Sequence, residues 1–312
     1  MSFRFILPLA LLMALAVSAP ASAKYRVGLS EQSAGVFSDT AWQSLKLKRM
    51  RYIVPWDVLK NDAQAAGAAQ YLTAAQANKQ DVLLTFTARS GCYVDGKYSR
   101  SKACRAPSSS AYKREFQKFR RLYPWIKSYS VWNEINHVSQ PTSKSPKRAA
   151  GYYNAVRNSC KGRCKLMAAD VLDQTNMVTY LRQFLRRAKG NPRLWGLHNY
   201  KDVNRKRSTG LRGILRTVPG EVWLTETGGI VKQQPQFKFS PRRAATATRY
   251  MFKLADRYDQ RRQGNRSKMT RLYVYRWFGE PAASRFDAGL TDENGEPRPA
   301  YATFARFAKS HR

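Results

Sequence analysis

The sequence predicts an α/β protein of one domain, a (β/α)8 TIM barrel. Short apolar runs alternate with longer amphipathic stretches, the pattern of β-α units wound around a parallel sheet. Eight runs can be marked: Tyr25–Leu29, Met50–Val54, Val82–Phe86, Ser128–Trp132, Lys165–Ala169, Leu194–Leu197, Val222–Thr225 and Leu272–Trp277. No Gly-rich dinucleotide turn follows the first run, which argues against an open doubly wound sheet. No long linker, low-complexity tract or shift of composition divides the chain.

Helical patterns fill the intervals at Ser110–Leu122, Ala149–Asn158, Met177–Ala188, Pro241–Tyr258 and Pro299–Ala308. In the first of these, Phe116, Phe119 and Leu122 share the expected core face. Ahead of the first strand stand Arg4, an apolar stretch Phe5–Val17 and the small-x-small sequence Ala21-Ser22-Ala23, the pattern of a cleaved signal peptide. Thirteen apolar residues are too few for a bilayer span, which takes roughly 20. Residues 1–23 are therefore expected to be removed. Residues 24–312 would form the barrel, a secreted or extracytoplasmic monomer without a transmembrane anchor.

In an exported chain the spacing of the four cysteines pairs Cys92 with Cys104 and Cys160 with Cys164. A zinc site at Cys160-x3-Cys164 is the competing reading. The absence of a nearby His, and the repulsion of a dication by Lys161, Arg163 and Lys165, oppose it.

Lys and Arg number 56 against 20 Asp and Glu, a net charge of +36. Such a field attracts polyanions of any kind. The basic residues are spread along the chain, as in Lys46-Leu47-Lys48-Arg49, Arg120-Arg121, Arg186-Arg187, Arg242-Arg243 and Arg261-Arg262. No helix-turn-helix, zinc-finger or ribonucleoprotein motif accompanies them, so no specific nucleic-acid partner is expected.

Barrel enzymes place their chemistry at the C-terminal ends of the strands. Two carboxylate motifs meet that demand: Trp132-Asn133-Glu134 closes the fourth run and Thr225-Glu226-Thr227-Gly228-Gly229 the seventh. A lone carboxylate ending a buried strand costs stability unless something uses it. A pair of them is what glycosidic bond cleavage requires. The sixth run ends in His198-Asn199-Tyr200, the eighth in Tyr275-Arg276-Trp277-Phe278, and Arg51 lies on the second.

Order and placement of Arg51, Asn133-Glu134, His198-Asn199-Tyr200, Glu226 and Trp277 resemble the retaining glycoside hydrolases of clan A, with a layout nearest to family 39 and family 5 relatives. The resemblance implies Glu134 as general acid/base and Glu226 as nucleophile. It also implies substrate-binding roles for Asn133, Arg51, His198, Tyr200 and Trp277. Asn133 would donate to the sugar 2-hydroxyl, Arg51 and Tyr200 would hold Glu226, and Trp277 would form an apolar floor. Burial against Trp132 is expected to keep Glu134 protonated. No cofactor and no metal is called for.

Each residue also has a plainer reading: Arg51 as a surface arginine, His198 as a hydrogen-bonded packing residue, Trp277 and Trp132 as core. The loop Arg89–Ser110, with Cys92, Cys104, Tyr93, Lys97, Tyr98, Arg100, Lys102 and Arg105, is expected as a stapled basic and aromatic wall over the cleft, or as a loop stabilised for export alone. Asp57, Asn136 and His137 lie near strand ends as further subsite candidates. The leading functional expectation is an exported retaining glycoside hydrolase acting on an unidentified poly- or oligosaccharide, whose substrate or surroundings are anionic. The alternatives are a catalytically silent barrel that binds glycan and a polyanion-binding scaffold of the cell envelope.

Overall fold

A computed structural model describes residues 25–160, 162–259 and 263–311, together with Met1. Apart from Met1, the expected signal peptide lies outside the described residues.

The barrel strands are β1 (Arg26–Ser30), β2 (Arg49–Pro55), β3 (Asp81–Thr87), β6 (Ser128–Ser130), β7 (Lys165–Met167), β8 (Asp170–Leu172), β9 (Leu194–His198), β10 (Gly220–Thr227) and β12 (Ser267–Tyr275). The small hairpin β4 (Tyr93–Val94) and β5 (Lys97–Tyr98), and the antiparallel pair β11 (Lys232–Gln233) and β13 (Phe286–Asp287), decorate the loops. The main sheet runs β7-β6-β3-β2-β1-β12-β10-β9-β8, parallel throughout. Its edges, β7 and β8, are two pieces of one strand interrupted at Ala168-Ala169. Ala168 N–H donates to Leu194 O (2.9 Å) and Gly196 N–H to Ala169 O (2.8 Å), so the interrupted strand joins β9 and the ring closes. Counted this way, the barrel has the eight strands expected from the sequence.

Helices α1 (Thr40–Leu45), α2 (Asp62–Ala77), α3 (Ser109–Leu122), α4 (Pro146–Val156), α5 (Met177–Leu185), α6 (Tyr200–Asn204), α7 (Thr209–Thr217), α8 (Pro241–Tyr258) and α9 (Pro299–Ser310) surround the ring. Five of these starts carry a capping side chain. Asp39, Asn61, Ser108, Ser145 and Ser240 each accept an otherwise unpaired N–H of the first turn, and Pro follows directly at α4 and α8. On α3, Tyr112, Phe116 and Phe119 are buried against the sheet, whereas Leu122 is 57% exposed and leaves the expected core face. No described helix is long and apolar enough to cross a membrane.

Inside the barrel, Leu83, Met167, Leu194, Trp223 and Tyr273 form a separate apolar cluster. On β9 and β10 it lies toward the strand starts, below His198 and Glu226. Space for it, and for a charge above it, comes from missing side chains. A Cβ on Gly28 would lie 2.8 Å from the Tyr273 ring, and one on Gly196 would strike Asp170 Oδ1. Both disulfides expected from the spacing are formed, Cys92–Cys104 and Cys160–Cys164 with Cα separations of 5.4 and 4.8 Å, which removes the zinc reading.

Candidate active site

Above the apolar cluster the barrel interior turns ionic. Arg51, Asp170 and His198 point inward from β2, β8 and β9, each with no exposed side-chain surface. Arg51 Nη1 donates to Glu226 Oε2 (2.7 Å) and Ser30 Oγ (3.1 Å), and Nη2 to Asn133 Oδ1 (2.6 Å) and Asp170 Oδ2 (3.1 Å). His198 Nδ1 lies 3.0 Å from Glu134 Oε1 and 3.7 Å from Glu226 Oε2, while its Nε2 faces Asp170 Oδ1 at 3.3 Å. Thr225 Oγ1 donates to Asp170 Oδ1 (2.5 Å) and the Tyr200 hydroxyl to Glu226 Oε1 (3.1 Å).

The two glutamates alone reach the surface from this cluster of charges. Their side chains are 17% (Glu134) and 12% (Glu226) exposed, so they can touch a substrate where Arg51, Asp170 and His198 cannot. Local backbone irregularity aims both. Alternation along β10 would turn Thr225 and Glu226 to opposite faces. The pairing with β9 slips there, Leu224 opposing Leu197 and Glu226 opposing His198, which brings Glu226 back over the barrel. Glu134 has φ 43°, a left-handed conformation costly for a residue with a Cβ. Bonds from Asn133 N–H to Phe86 O (2.7 Å) and from Ile135 N–H to Asp170 O (2.9 Å) clamp it on both sides.

Charge sharing follows from this packing. Burial works against the charge of Arg51, but Asp170 and Glu226 outweigh it and hold the guanidinium above its ordinary pKa. Burial alone would push Asp170 up; the charges of His198 and Arg51, with hydrogen bonds from His198 and Thr225, pull it down to about 2. Burial would likewise neutralise His198, yet Glu226 and Asp170, with the hydrogen bonds to Asp170 and Glu134, raise it to about 10. At Glu134, burial is overcome by the hydrogen bond and charge of His198 and by the charge of His137, which lower its pKa. Burial and the Glu226 carboxylate keep the Tyr200 phenol far above its usual range, a neutral donor.

An oxygen of Glu134, an oxygen of Glu226 and a ring nitrogen of His198 lie within 4.8 Å of one another, a spacing that would suit a metal ion. The donor chemistry does not suit one. Glu226 and Asp170 hold His198 toward its charged form beside both carboxylates, and Arg51 supplies a second cation to Glu226, so a dication would have to displace charge already in place.

A cleft of about 480 Å³ opens over Glu134 and Glu226, walled by Tyr200, Tyr275, Phe237 and Phe286, with His137, Lys201 and Arg205 on its rim. Asp173 also lines it. Burial, with the charge of Asp202 adding, raises that carboxyl to about 7 although it accepts the Lys201 and Asp202 amides.

Several expectations need correction. Trp277 is wholly buried, its Nε1–H donating to Asp39 Oδ2 (3.0 Å) and its ring edge-on to Trp42 and Tyr301, so it offers no surface to a sugar. β12 ends at Tyr275, and that ring reaches the cleft instead. Arg51 and His198 are wholly buried beneath the glutamates, without surface for a sugar, and Arg51 is not a surface residue. Trp132 packs outward on Tyr152 with its Nε1–H on Gln140, so His198, and not an aromatic wall, governs the Glu134 proton. Asn133 Oδ1 accepts from Arg51, and the Tyr200 hydroxyl donates to Glu226. Asn136 bonds the Leu172 backbone and Asp57 pairs with Arg89, away from the cleft lining. The loop 89–110 reaches the rim through Tyr93, whose ring meets that of His137 at 6.2 Å.

Three positions in or around the site are not singled out by the sequence analysis. Asp170 bears the signal used for the glutamates, a carboxylate after the small apolar run Met167-Ala168-Ala169. Glu31, at the end of β1, accepts the backbone N–H groups of Gln32, Ser33, Trp277 and Phe278 and an Arg276 guanidinium. Tyr275 lies two residues before the expected tryptophan and lines the cleft.

A closed parallel barrel with two facing carboxylates at the C-terminal ends of its strands defines a glycosidase architecture. The glycosyl hydrolase catalytic core family matches residues 108–304, and the chain belongs to that family: it is a glycoside hydrolase. No curated protein matches it. Among solved structures it is similar to a family 5, subfamily 18 glycoside hydrolase from Streptomyces cattleya in complex with GlcNAc, with TM-score 0.61 and 13% identity over 93% of this chain and 80% of that one. A family 39 glycoside hydrolase from Bacteroides cellulosilyticus WH2 gives TM-score 0.56 and 13% identity over 92% and 64%. A family 10 endoxylanase from a sugarcane soil metagenome gives TM-score 0.58 and 12% identity over 91% and 97%. At such identities the likeness is one of fold, and the fold is that of the clan the motifs resemble.

Proposed function

We propose that this glycoside hydrolase is an exported, retaining enzyme that cleaves a poly- or oligosaccharide by double displacement. One observation carries the reading: an oxygen of Glu134 and one of Glu226 lie within 4.8 Å. Retaining enzymes hold their carboxyl groups roughly 5–5.5 Å apart, and inverting ones roughly 6.5–9.5 Å to admit a water.

Glu226, aimed by Arg51 and Tyr200, attacks the anomeric carbon as the bond to the leaving oxygen breaks and that oxygen takes a proton from Glu134. Because Glu134 is held low by His198, the proton is shared by the pair, and His198 Nδ1 at 3.0 Å is its reservoir. In the second half, Glu134 accepts a proton from water, the water oxygen bonds the anomeric carbon, and Glu226 is freed. Asn133, whose Oδ1 is committed to Arg51, turns its amide N–H groups toward the sugar 2-hydroxyl. Tyr275 serves as the ring platform first expected of Trp277. Lys201 and Arg205 on the rim favour an anionic sugar. Two disulfides in the fold support export.

NMR of the product during the first turnovers tests the mechanism: the anomeric configuration should be kept, and an inverted product refutes it. Glu226→Ala should abolish turnover and be partly restored by azide, yielding a glycosyl azide of inverted configuration.

A further inference from the structure

Between α3 and α4, at the barrel end opposite the cleft, runs an open groove of about 980 Å³. Lys127 and Arg163 locate it, because each stands just before a strand, β6 or β7, at the end farthest from Glu134 and Asp170. Lys113, Arg120, Arg121, Lys127 and Arg163 line the groove, and among the described residues no carboxylate does. All but Arg120 are exposed. The nearby Glu115 offers them no relief, since it is engaged by Lys60 (3.4 Å) and Lys118 (3.7 Å). Like charges gathered without a counter-charge repel one another and are relieved by an arriving polyanion.

The groove is also built firmly. The Arg120 guanidinium donates to the Ser159 carbonyl and lies 5.9 Å over the Tyr129 ring. Ser159 leads into the Cys160–Cys164 disulfide, which closes the turn that carries Arg163. Gln117 and Asn158 add neutral amides suited to hydroxyl groups. Among the described residues no aromatic ring lines the groove, so it lacks the stacking platform on which single-stranded nucleic acid is held.

We infer that this groove is a second glycan site, which binds a strand of anionic polysaccharide with uronate carboxylates on its cations and hydroxyls on its amides. It is separate from the catalytic cleft and does not depend on the retaining mechanism. Holding the polymer at the far end leaves the cleft open and raises the local concentration of chain to be cut.

The test uses a fluorescent oligogalacturonate of about ten sugars, in a Glu226→Ala background so that the probe survives, with affinity read by anisotropy at low salt. Combined Lys113→Glu, Arg121→Glu and Arg163→Glu should weaken binding by about tenfold or more, and Arg121→Glu alone should act in the same direction. Arg242→Glu, Arg249→Glu and Lys253→Glu on α8 change the net charge equally and should cost less than about twofold. Equal losses from the two triple variants would reduce the groove to diffuse electrostatics and overturn the proposal. So would equal binding of a neutral glucan of the same length, or a single-stranded oligonucleotide of matched charge that binds the groove more tightly than the uronate.

Discussion

His198 sets how charge is shared in the site, and its effect on stability has a definite sign. Its pKa rises from an ordinary value of roughly 6.5 to about 10 in the folded protein. Below the lower value folded and unfolded chains both carry the proton, and the stabilisation is whole. Between the two the folded state binds more protons, so stability falls as pH rises, until the contribution is gone near the folded value. Urea midpoints measured from pH 6.5 to 10 should decline for the native protein and decline less for His198→Gln, which is already destabilised at neutral pH; parallel curves would show that the imidazolium is not the group titrating. The same ring explains which residues the sequence revealed. Glu134 and Glu226 were legible because a carboxylate directly after a buried strand needs a partner. Arg51 and Tyr200 were legible as the partners of Glu226; that His198 would face Glu134, and that Asp170 would sit beneath both, was not, since Arg51, Asp170 and His198 come from three strands and meet only when the ring closes.

At the scale of elements, the strands were readable from apolar runs and α3, α4, α5, α8 and α9 from amphipathic stretches, whereas α1, α2, α6 and α7 were not marked. Two of the misses fall where a strand stops. The fifth run was ended at Ala169, one residue before Asp170 opens β8. The eighth was carried past Tyr275, where Glu31 captures the Trp277 amide (2.9 Å) and Asp39 its indole, two long-range acceptors that no local pattern announces. Glycine shows a similar dependence on distant neighbours. A Cβ on Gly196 would strike Asp170 Oδ1 and lie 2.6 Å from Met167 Sδ, whereas one on Gly67, inside α2, would meet nothing within 4 Å. Gly196→Ala should therefore cost about 1–3 kcal/mol and lower kcat by disturbing the layer under Glu226, while Gly67→Ala should stabilise by about 0.5–1 kcal/mol. Denaturant midpoints and kcat for the two variants check this, and a neutral Gly196→Ala would mean the barrel interior has slack that the packing does not show.

For the whole molecule, the excess of 56 basic over 20 acidic residues acts in two opposed ways. Spread over the surface, like charges repel and destabilise the compact state. Salt screens exposed charges beyond about 10 Å at 0.1 M but reaches buried pairs far less. The ion network under the cleft is buried, so added salt should relieve the surface while leaving Arg51, Asp170 and His198 intact. The melting temperature is thus expected to rise between low salt and about 0.5 M sodium chloride, where surface screening is nearly complete. Activity on an anionic substrate should move the other way. The rim cations Lys201 and Arg205 and the long-range field would attract a uronate polymer and are both screened by salt, so on the proposed anionic substrate kcat/KM should fall over the same range while that for a neutral analogue holds. Thermal melts and initial rates on a matched pair of polymers measure the two trends together. Stability that drops with salt would locate the dominant electrostatics in surface ion pairs, and rates that fall alike for both polymers would remove charge from substrate selection.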